Sequence, residues 1–276
     1  MPNVIVHPTD FSDCARSAQH YAESLCLELN AELMLVHAID LNKLAGYDQS
    51  GRSLLSRSNE IKEEARQKIS TLGDSAAKKG IASKARIYQG DLTQCLPKLC
   101  EETETMMIVM GTTGAGTWSN SIFGSTTYAV VQSAHIPVLA IPDLKSHKMS
   151  SRMLLATDLG RSDFNFGSID FLSKLAAGID AELDLVYVPE SSAQAFSIEA
   201  IRSTLKQKGY ADLSLDLAEG DDHIKAIQTY LNDHETDLFA MIVSEKSMLE
   251  KFIFGSLSKK MLHHSKIPVL MIPRSL

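Results

Sequence analysis

The apolar run Met106-Met107-Ile108-Val109-Met110 leads into Gly111-Thr112-Thr113-Gly114-Ala115-Gly116, and a polar stretch then reaches Phe123-Gly124-Ser125-Thr126. The chemistry such a pattern could do is anion binding. Glycines where a chain leaves a buried strand allow positive φ and put no Cβ between backbone amides and a bound phosphate. The Gly-Ser pair opens a helix whose first amides lack partners and carry the positive end of the dipole. Gly124, Ser125 and Thr126 could therefore complete a cradle begun at Gly111. Glycine count alone leaves a second account open, in which the glycines only make turns and the serine only caps a helix, because short glycine motifs recur often by chance.

The elements that must position this loop alternate along the chain. Val4-Ile5-Val6 is a short β-branched strand that stops at Pro8-Thr9-Asp10. A helix follows, with Ser12 as N-cap, Asp13 favourable in its first turn, and Cys14, Ala18, Tyr21, Ala22, Leu25 and Leu29 at helical spacing up to Asn30. Ala31 to Ala38 is nearly continuous in apolar residues, as expected of a parallel strand covered on both faces. Asp40 to Ser58 is a polar connection. Ile61, Ala65, Ile69, Leu72 and Ala76 mark a second helix that ends near Gly80, and Ala85-Arg86-Ile87-Tyr88 is a third strand. Gly90-Asp91 starts a helix with Leu92, Leu96 and Leu99 on its inner face; the Met106 strand follows. A helix from Ser125 to Ser133 and a strand from Ile136 to Pro142 close the series.

Strands alternating with helices predict a doubly wound parallel α/β sheet, in which ligands sit at the carboxyl ends of strands where the strand order reverses. If the first and fourth strands are neighbours there, Pro8, Thr9 and Asp10 share one crevice with Met110, Gly111 and Gly114. The end of the second strand, Val36-His37, lies beside them.

Composition narrows the function classes. At 276 residues and 44% hydrophobic content the chain can build two cores. Its 27 basic against 34 acidic residues, net −7, give no electrostatic reason to expect a nucleic-acid or acidic-membrane partner. Met1 to His7 lacks a basic, apolar leader pattern and no later run approaches a membrane span, so a cytoplasmic protein is expected. Cys14, Cys26, Cys95 and Cys100 match neither a zinc motif nor a CxxC pair and read as small buried hydrophobes. His263-His264 point about 100° apart on a helix and cannot share a metal comfortably.

After a short polar stretch the pattern starts again. Ala156-Thr157-Asp158 echoes Pro8-Thr9-Asp10, and Ala181 to Tyr187 echoes Ala31 to His37. Glu219-Gly220-Asp221 matches Gln89-Gly90-Asp91, Phe254-Gly255-Ser256 matches Phe123-Gly124-Ser125, and Ile267 to Pro273 matches Ile136 to Pro142. Matches in one order along both halves mean a duplicated domain, with boundaries at 1–144 and 150–276. Where the first half has Gly111-Thr112-Thr113-Gly114 the second has Ser244-Glu245-Lys246-Ser247, so its loop takes another path and is not expected to hold the same ligand.

With Asp10 after the first strand, the spacing Gly111-x2-Gly114-x9-Gly124-Ser125, and the closing Ile-Pro-Val-Leu-Ala-Ile-Pro strand in place, the chain resembles the universal stress protein family in its tandem form. The resemblance runs across essentially its whole length. It implies two five-stranded parallel sheets of order 3-2-1-4-5, like those of the adenine nucleotide α-hydrolases, packed as an internal pseudo-dimer through their last strands. It also implies ATP as ligand, with or without magnesium. Asp10 would then lie near the ribose or adenine, with Pro8 and Thr9 beside it and the backbone around Val36 and His37 at the adenine edge. Gly111, Gly114, Gly124 and Ser125, following Met110, would hold the phosphates. Thr126 stands where family members often have Val, which leaves its contact open.

The leading expectation is a non-enzymatic ATP-binding stress protein whose nucleotide orders the glycine loop and shifts binding to protein partners. The rival is a slow ATP hydrolase of the adenine nucleotide α-hydrolase class, although the Ser-Gly-Gly-x-Asp-Ser loop those enzymes use is replaced here by Pro8-Thr9-Asp10-Phe11-Ser12. A scaffold without nucleotide is the third reading. Homodimerisation of the whole chain is open to all three.

Overall fold

The computed structural model describes residues 3–40, 58–112, 125–143, 149–157, 166–187, 198–218, 223–243, 267–274 and 276. These fall into two compact units, one holding the residues up to Asp143 and the other those from Met149 onward. The first unit runs β1 (Val4–Pro8), α1 (Asp13–Leu29), β2 (Glu32–Ile39), α2 (Ser58–Lys78), β3 (Ser83–Gln89), α3 (Leu92–Glu102), β4 (Thr105–Gly111), α4 (Ser125–Ser133) and β5 (Val138–Ile141). The second runs β6 (Arg152–Thr157), α5 (Gly167–Gly178), β7 (Glu182–Tyr187), α6 (Ile198–Gln207), β8 (Ser214–Leu217), α7 (His223–Asp233), β9 (Leu238–Val243) and β10 (Val269–Pro273).

Within the first unit the strands lie in the order β3-β2-β1-β4-β5, all parallel. The second repeats it as β8-β7-β6-β9-β10. The doubly wound 3-2-1-4-5 expectation holds in each. Apolar runs explain which strands are central: every residue of β4 from Thr105 to Met110 is buried, because a parallel strand in mid-sheet is covered by helices on both faces. β3 shows no buried residue and stands at the edge of its unit. It extends beyond Ala85–Tyr88 to Ser83–Gln89 because β2 offers it hydrogen bonds along its full length. In α3 the inner face is Leu96, Leu99 and Cys100, whereas Leu92, next to the capping Asp91 at the helix start, is only half-buried.

Four helices end in one way. Asn30, Gly80, Asp180 and Gly209 take φ of 49°, 82°, 53° and 92°, and the next residue's N–H reaches a carbonyl five residues back. The bonds are Ala31 to Cys26 (2.9 Å), Ile81 to Ala76 (3.1 Å), Ala181 to Ala176 (2.9 Å) and Tyr210 to Leu205 (2.9 Å). This Schellman closure turns each helix sharply back toward its next strand. It recurs at equivalent places in α1 and α5, and again in α2 and α6. Among the described residues no helix is long and apolar enough to cross a membrane.

The left-handed residue at these turns needs little or no Cβ penalty. Replacing Asn30 by Ala should therefore destabilise the protein by about 1 kcal/mol, while Asn30→Gly should leave it unchanged or slightly firmer. Urea unfolding of the two variants beside the parent checks this, and equal losses in both would contradict it.

Candidate functional site

The crevice forms where β1 parts from β4. The β1–β2 ladder continues to Pro8↔Val36, but the β1–β4 ladder stops at Val6↔Ile108. Just past that point the Val109 carbonyl accepts a hydrogen bond from His7 Nδ1 at 2.8 Å. Because the acceptor is a carbonyl, Nδ1 carries the proton and Nε2 is left as the acceptor nitrogen, buried and without a hydrogen-bond partner among the described residues. His7 is fully buried, and burial pushes its pKa down to about 4 against the opposing pull of the Val109 bond and the charges of Glu23 and Asp10. His7 is thus a neutral structural group.

Beyond Pro8 the chain folds into a tight turn that holds itself. Thr9 N–H donates to the Val36 carbonyl at 2.8 Å, and Thr9 Oγ1 accepts from Phe11 N–H at 3.1 Å. Asp10 Oδ1 accepts from Ser12 N–H at 3.0 Å, and Ser12 Oγ caps α1 through Ala15 N–H at 3.2 Å. Phe11 sits at φ 63°, a costly conformation for a large side chain. Its ring lies 4.5 Å from that of His37, with Lys68 Nζ 5.5 Å above its centroid. His37 Nδ1 in turn donates to the Thr9 carbonyl at 2.7 Å. Phe11, His37 and Lys68 close one corner of the crevice. Phe11 and Lys68 carry no signal in the sequence, since no glycine marks the positive φ and Lys68 comes from the distant helix α2.

Across the crevice, β4 ends at Gly111, where a Cβ would lie 2.9 Å from Cys14 Sγ and 3.0 and 3.1 Å from the Cys14 carbonyl carbon and oxygen. Glycine here lets the start of α1 pack against the strand end. The missing side chain at Gly111 therefore serves helix packing, and only its backbone and the amides beyond it are left to meet an anion. Thr127 Oγ1 in α4 donates to the Gly111 carbonyl at 2.9 Å, and Thr112 N–H donates to the Ile141 carbonyl at 2.9 Å. These two bonds fix the path by which the chain leaves β4. Thr127, hidden within a Ser-Thr-Thr run, could have been found only by asking which α4 residue faces the strand.

The expected site residues are distributed as follows. Pro8, Thr9, Asp10, Val36 and His37 meet at the ends of β1 and β2, and Met110 and Gly111 end β4. Val36 and Met110 are buried, so they can offer a ligand only backbone, whereas Asp10 is exposed and His37 half-buried. Ser125 and Thr126 are the exposed first residues of α4, where helix amides lack intrahelical partners. Gly114 and Gly124 lie outside the described residues, as do Ser244 to Ser247 in the second unit. A strand-order reversal, an exposed carboxylate, a half-buried imidazole and an exposed first turn of a helix suit a nucleotide or another phosphorylated ligand.

The universal stress protein family model matches residues 1–142 and again 149–273. This chain belongs to that family, with two copies of its domain. A universal stress protein from Methanocaldococcus jannaschii, MJ0531, is 28% identical over 137 residues, covering 50% of this chain and 80% of that protein. A second from the same organism, MJ0577, is 27% identical over 150 residues, covering 50% of this chain and 93% of its own length. Among solved structures, a universal stress protein from Archaeoglobus fulgidus covers 99% of this chain and 97% of its own, with a TM-score of 0.73 at 20% identity. That likeness is one of fold.

Two consequences can be measured. Gly111→Ala should lower stability by about 1–3 kcal/mol in denaturant unfolding, and Cys14→Ala should not rescue it, because two of the three close approaches are to Cys14 backbone. Full rescue would mean the strand end has room. For His7, the folded pKa near 4 lies below the ordinary 6.5, so between those values the unfolded chain binds more protons than the native one. Stability should therefore be undiminished by His7 above pH 6.5 and fall by on the order of 3 kcal/mol as the pH drops toward 4. His7→Gln should lack that component, and parallel pH profiles of the two proteins would contradict the assignment.

Proposed function

We propose that this tandem universal stress protein binds one ATP in the crevice of its first unit and uses occupancy to regulate its binding of protein partners in a cytoplasmic stress response. The observation that carries the reading is the opening between β1 and β4, with Thr9, Asp10 and His37 on one wall and Gly111 and the start of α4 on the other. Adenine would lie toward Val36 and His37, and the ribose toward Asp10. The phosphates would lie over the amides from Gly111 through Gly114 to Gly124, Ser125 and Thr126, where unpaired N–H groups and the helix dipole favour negative charge. Any magnesium would come in on the phosphates: among the described residues no group of three or more His, Cys, Asp or Glu side chains could hold an ion.

Asp10 Oδ1 already accepts the Ser12 amide at 3.0 Å, which favours a turn-forming and hydrogen-bonding carboxylate over a general base. Regulation is accordingly preferred to hydrolysis. The second unit is assigned no nucleotide, because its sequence places Ser244, Glu245 and Ser247 where the first has glycines and a threonine.

Heat release of bound small molecules from the purified protein, run against ATP, ADP and AMP standards, should give about one ATP per chain. Gly114→Leu should empty the site while leaving the circular dichroism spectrum and melting curve intact, since a side chain there blocks backbone approach to phosphate. Two ATP per chain would overturn the one-site reading, ADP alone would favour hydrolysis, and ATP retained by the variant would remove the phosphate cradle.

A further inference from the structure

On the side of the first unit away from β4, β3 is the edge strand. The bonds that flank the β2–β3 ladder set its phase: Leu33 N–H donates to the Ala82 carbonyl at 2.8 Å and Gly90 N–H to the Ile39 carbonyl at 2.9 Å. Peptide groups along a strand alternate sides. Lys84, Arg86 and Tyr88 therefore turn theirs toward β2, and Ser83, Ala85, Ile87 and Gln89 turn theirs outward, where no further strand of the unit lies among the described residues.

A cleft of about 320 Å³ opens beside that edge, lined by Ala85, Ile87 and Gln89 of β3 and by Lys62, Arg66 and Ile69 of α2. The residues whose backbone is open are thus the same ones whose side chains floor the groove. A crossover helix runs antiparallel to the strand it feeds, so Ile69 lies toward Ala85 and Lys62 toward Gln89. One end of the groove is apolar and the other cationic. Lys62 makes no ion pair among the described residues, and Arg66 pairs only with Glu63, at 3.2 Å and with both side chains more than half exposed, which holds it weakly. Among the described residues no carboxylate lines the groove.

We propose that this edge takes up an extended, acidic segment of a partner protein by strand addition. The partner's backbone bonds to Ala85, Ile87 and Gln89; an apolar side chain enters beside Ile69 and a carboxylate, two or four residues along on the same face, meets Lys62 and Arg66. Charge selects this occupant over a second copy of the chain. β3 itself carries Lys84 and Arg86 and no acid, so edge-to-edge pairing of two copies would oppose like charges. Their own partners, Glu32 at 2.9 Å and Glu102 at 3.1 Å, come from within the same unit.

The probe is a fluorescein-labelled heptapeptide, Val-Thr-Ile-Thr-Glu-Thr-Glu, with its reversed sequence to allow either strand direction, titrated by anisotropy against the full chain. One of the two should bind. Lys62→Glu with Arg66→Glu should weaken that binding by about tenfold or more, the cost of turning two attractive charge contacts repulsive. Both side chains reach solvent, and an unchanged melting curve would show the fold intact. N-methylation of alternate peptide nitrogens should remove binding by blocking the backbone bonds. Equal affinity for parent and double variant, equal affinity of the N-methylated peptide, or absence of binding by both sequences up to millimolar protein would overturn the proposal. So would self-association of the parent in sedimentation that the double variant abolishes, since a second copy would then hold the edge.

Discussion

The crevice depends on one hydrogen bond. Where β1 and β4 stop pairing, a buried carbonyl loses its place in the ladder, and an unsatisfied buried carbonyl costs about 1–3 kcal/mol. His7 Nδ1 fills that place at Val109, 2.8 Å away, so the strands can diverge without leaving the carbonyl orphaned. Only a side chain that is buried, neutral and a donor can do this. The burial that drives the His7 pKa down to about 4 is the same burial that keeps it uncharged at neutral pH.

Divergence then has to be held in shape, and each wall solves the problem differently. On the β1 side a self-bonded turn uses Thr9, Asp10 and Ser12 side chains to satisfy its own amides and accepts a positive φ at Phe11. The strain there is offset by ring contact with His37 and by the His37 bond to the Thr9 carbonyl. On the β4 side the absence of a side chain at Gly111 lets Cys14 come within contact distance, and Thr127 ties α4 to the strand end. In the second unit Ser244 takes Gly111's place in sequence.

Much of the fold was legible because it is written in local periodicity. Apolar runs marked β2 and β4, Ser12 marked the start of α1, and Asn30 and Gly80 marked helix ends whose left-handed turns need those residue types. The crevice was legible only in outline. His7 and Val109 are 102 residues apart, and nothing near either one names the other. Phe11 lacks the glycine that would announce its φ, and the packing demand that Cys14 makes on Gly111 is visible only in three dimensions. The groove beside β3 was illegible for the same reason. Its cationic end comes from α2, and what sequence shows there is an ordinary solvated helix face.

Helix α2 is the element through which these features bear on one another. Lys68 reaches the Phe11 ring at the corner of the crevice, while Lys62, Arg66 and Ile69 of the same helix wall the edge groove. Its far end is pinned by Lys79, whose Nζ lies 2.5 Å from Glu23 of α1. Glu23 is 2% exposed and also accepts from Gln19 at 2.8 Å, whereas the Lys79 side chain is 44% exposed, so a buried carboxylate is held by an ammonium that reaches solvent. Ala65, Ile69 and Ala76 are buried along the helix, so α2 is seated on the sheet over its length, with Lys68 at its middle turned to Phe11 and Lys62 and Arg66 beside the β3 edge.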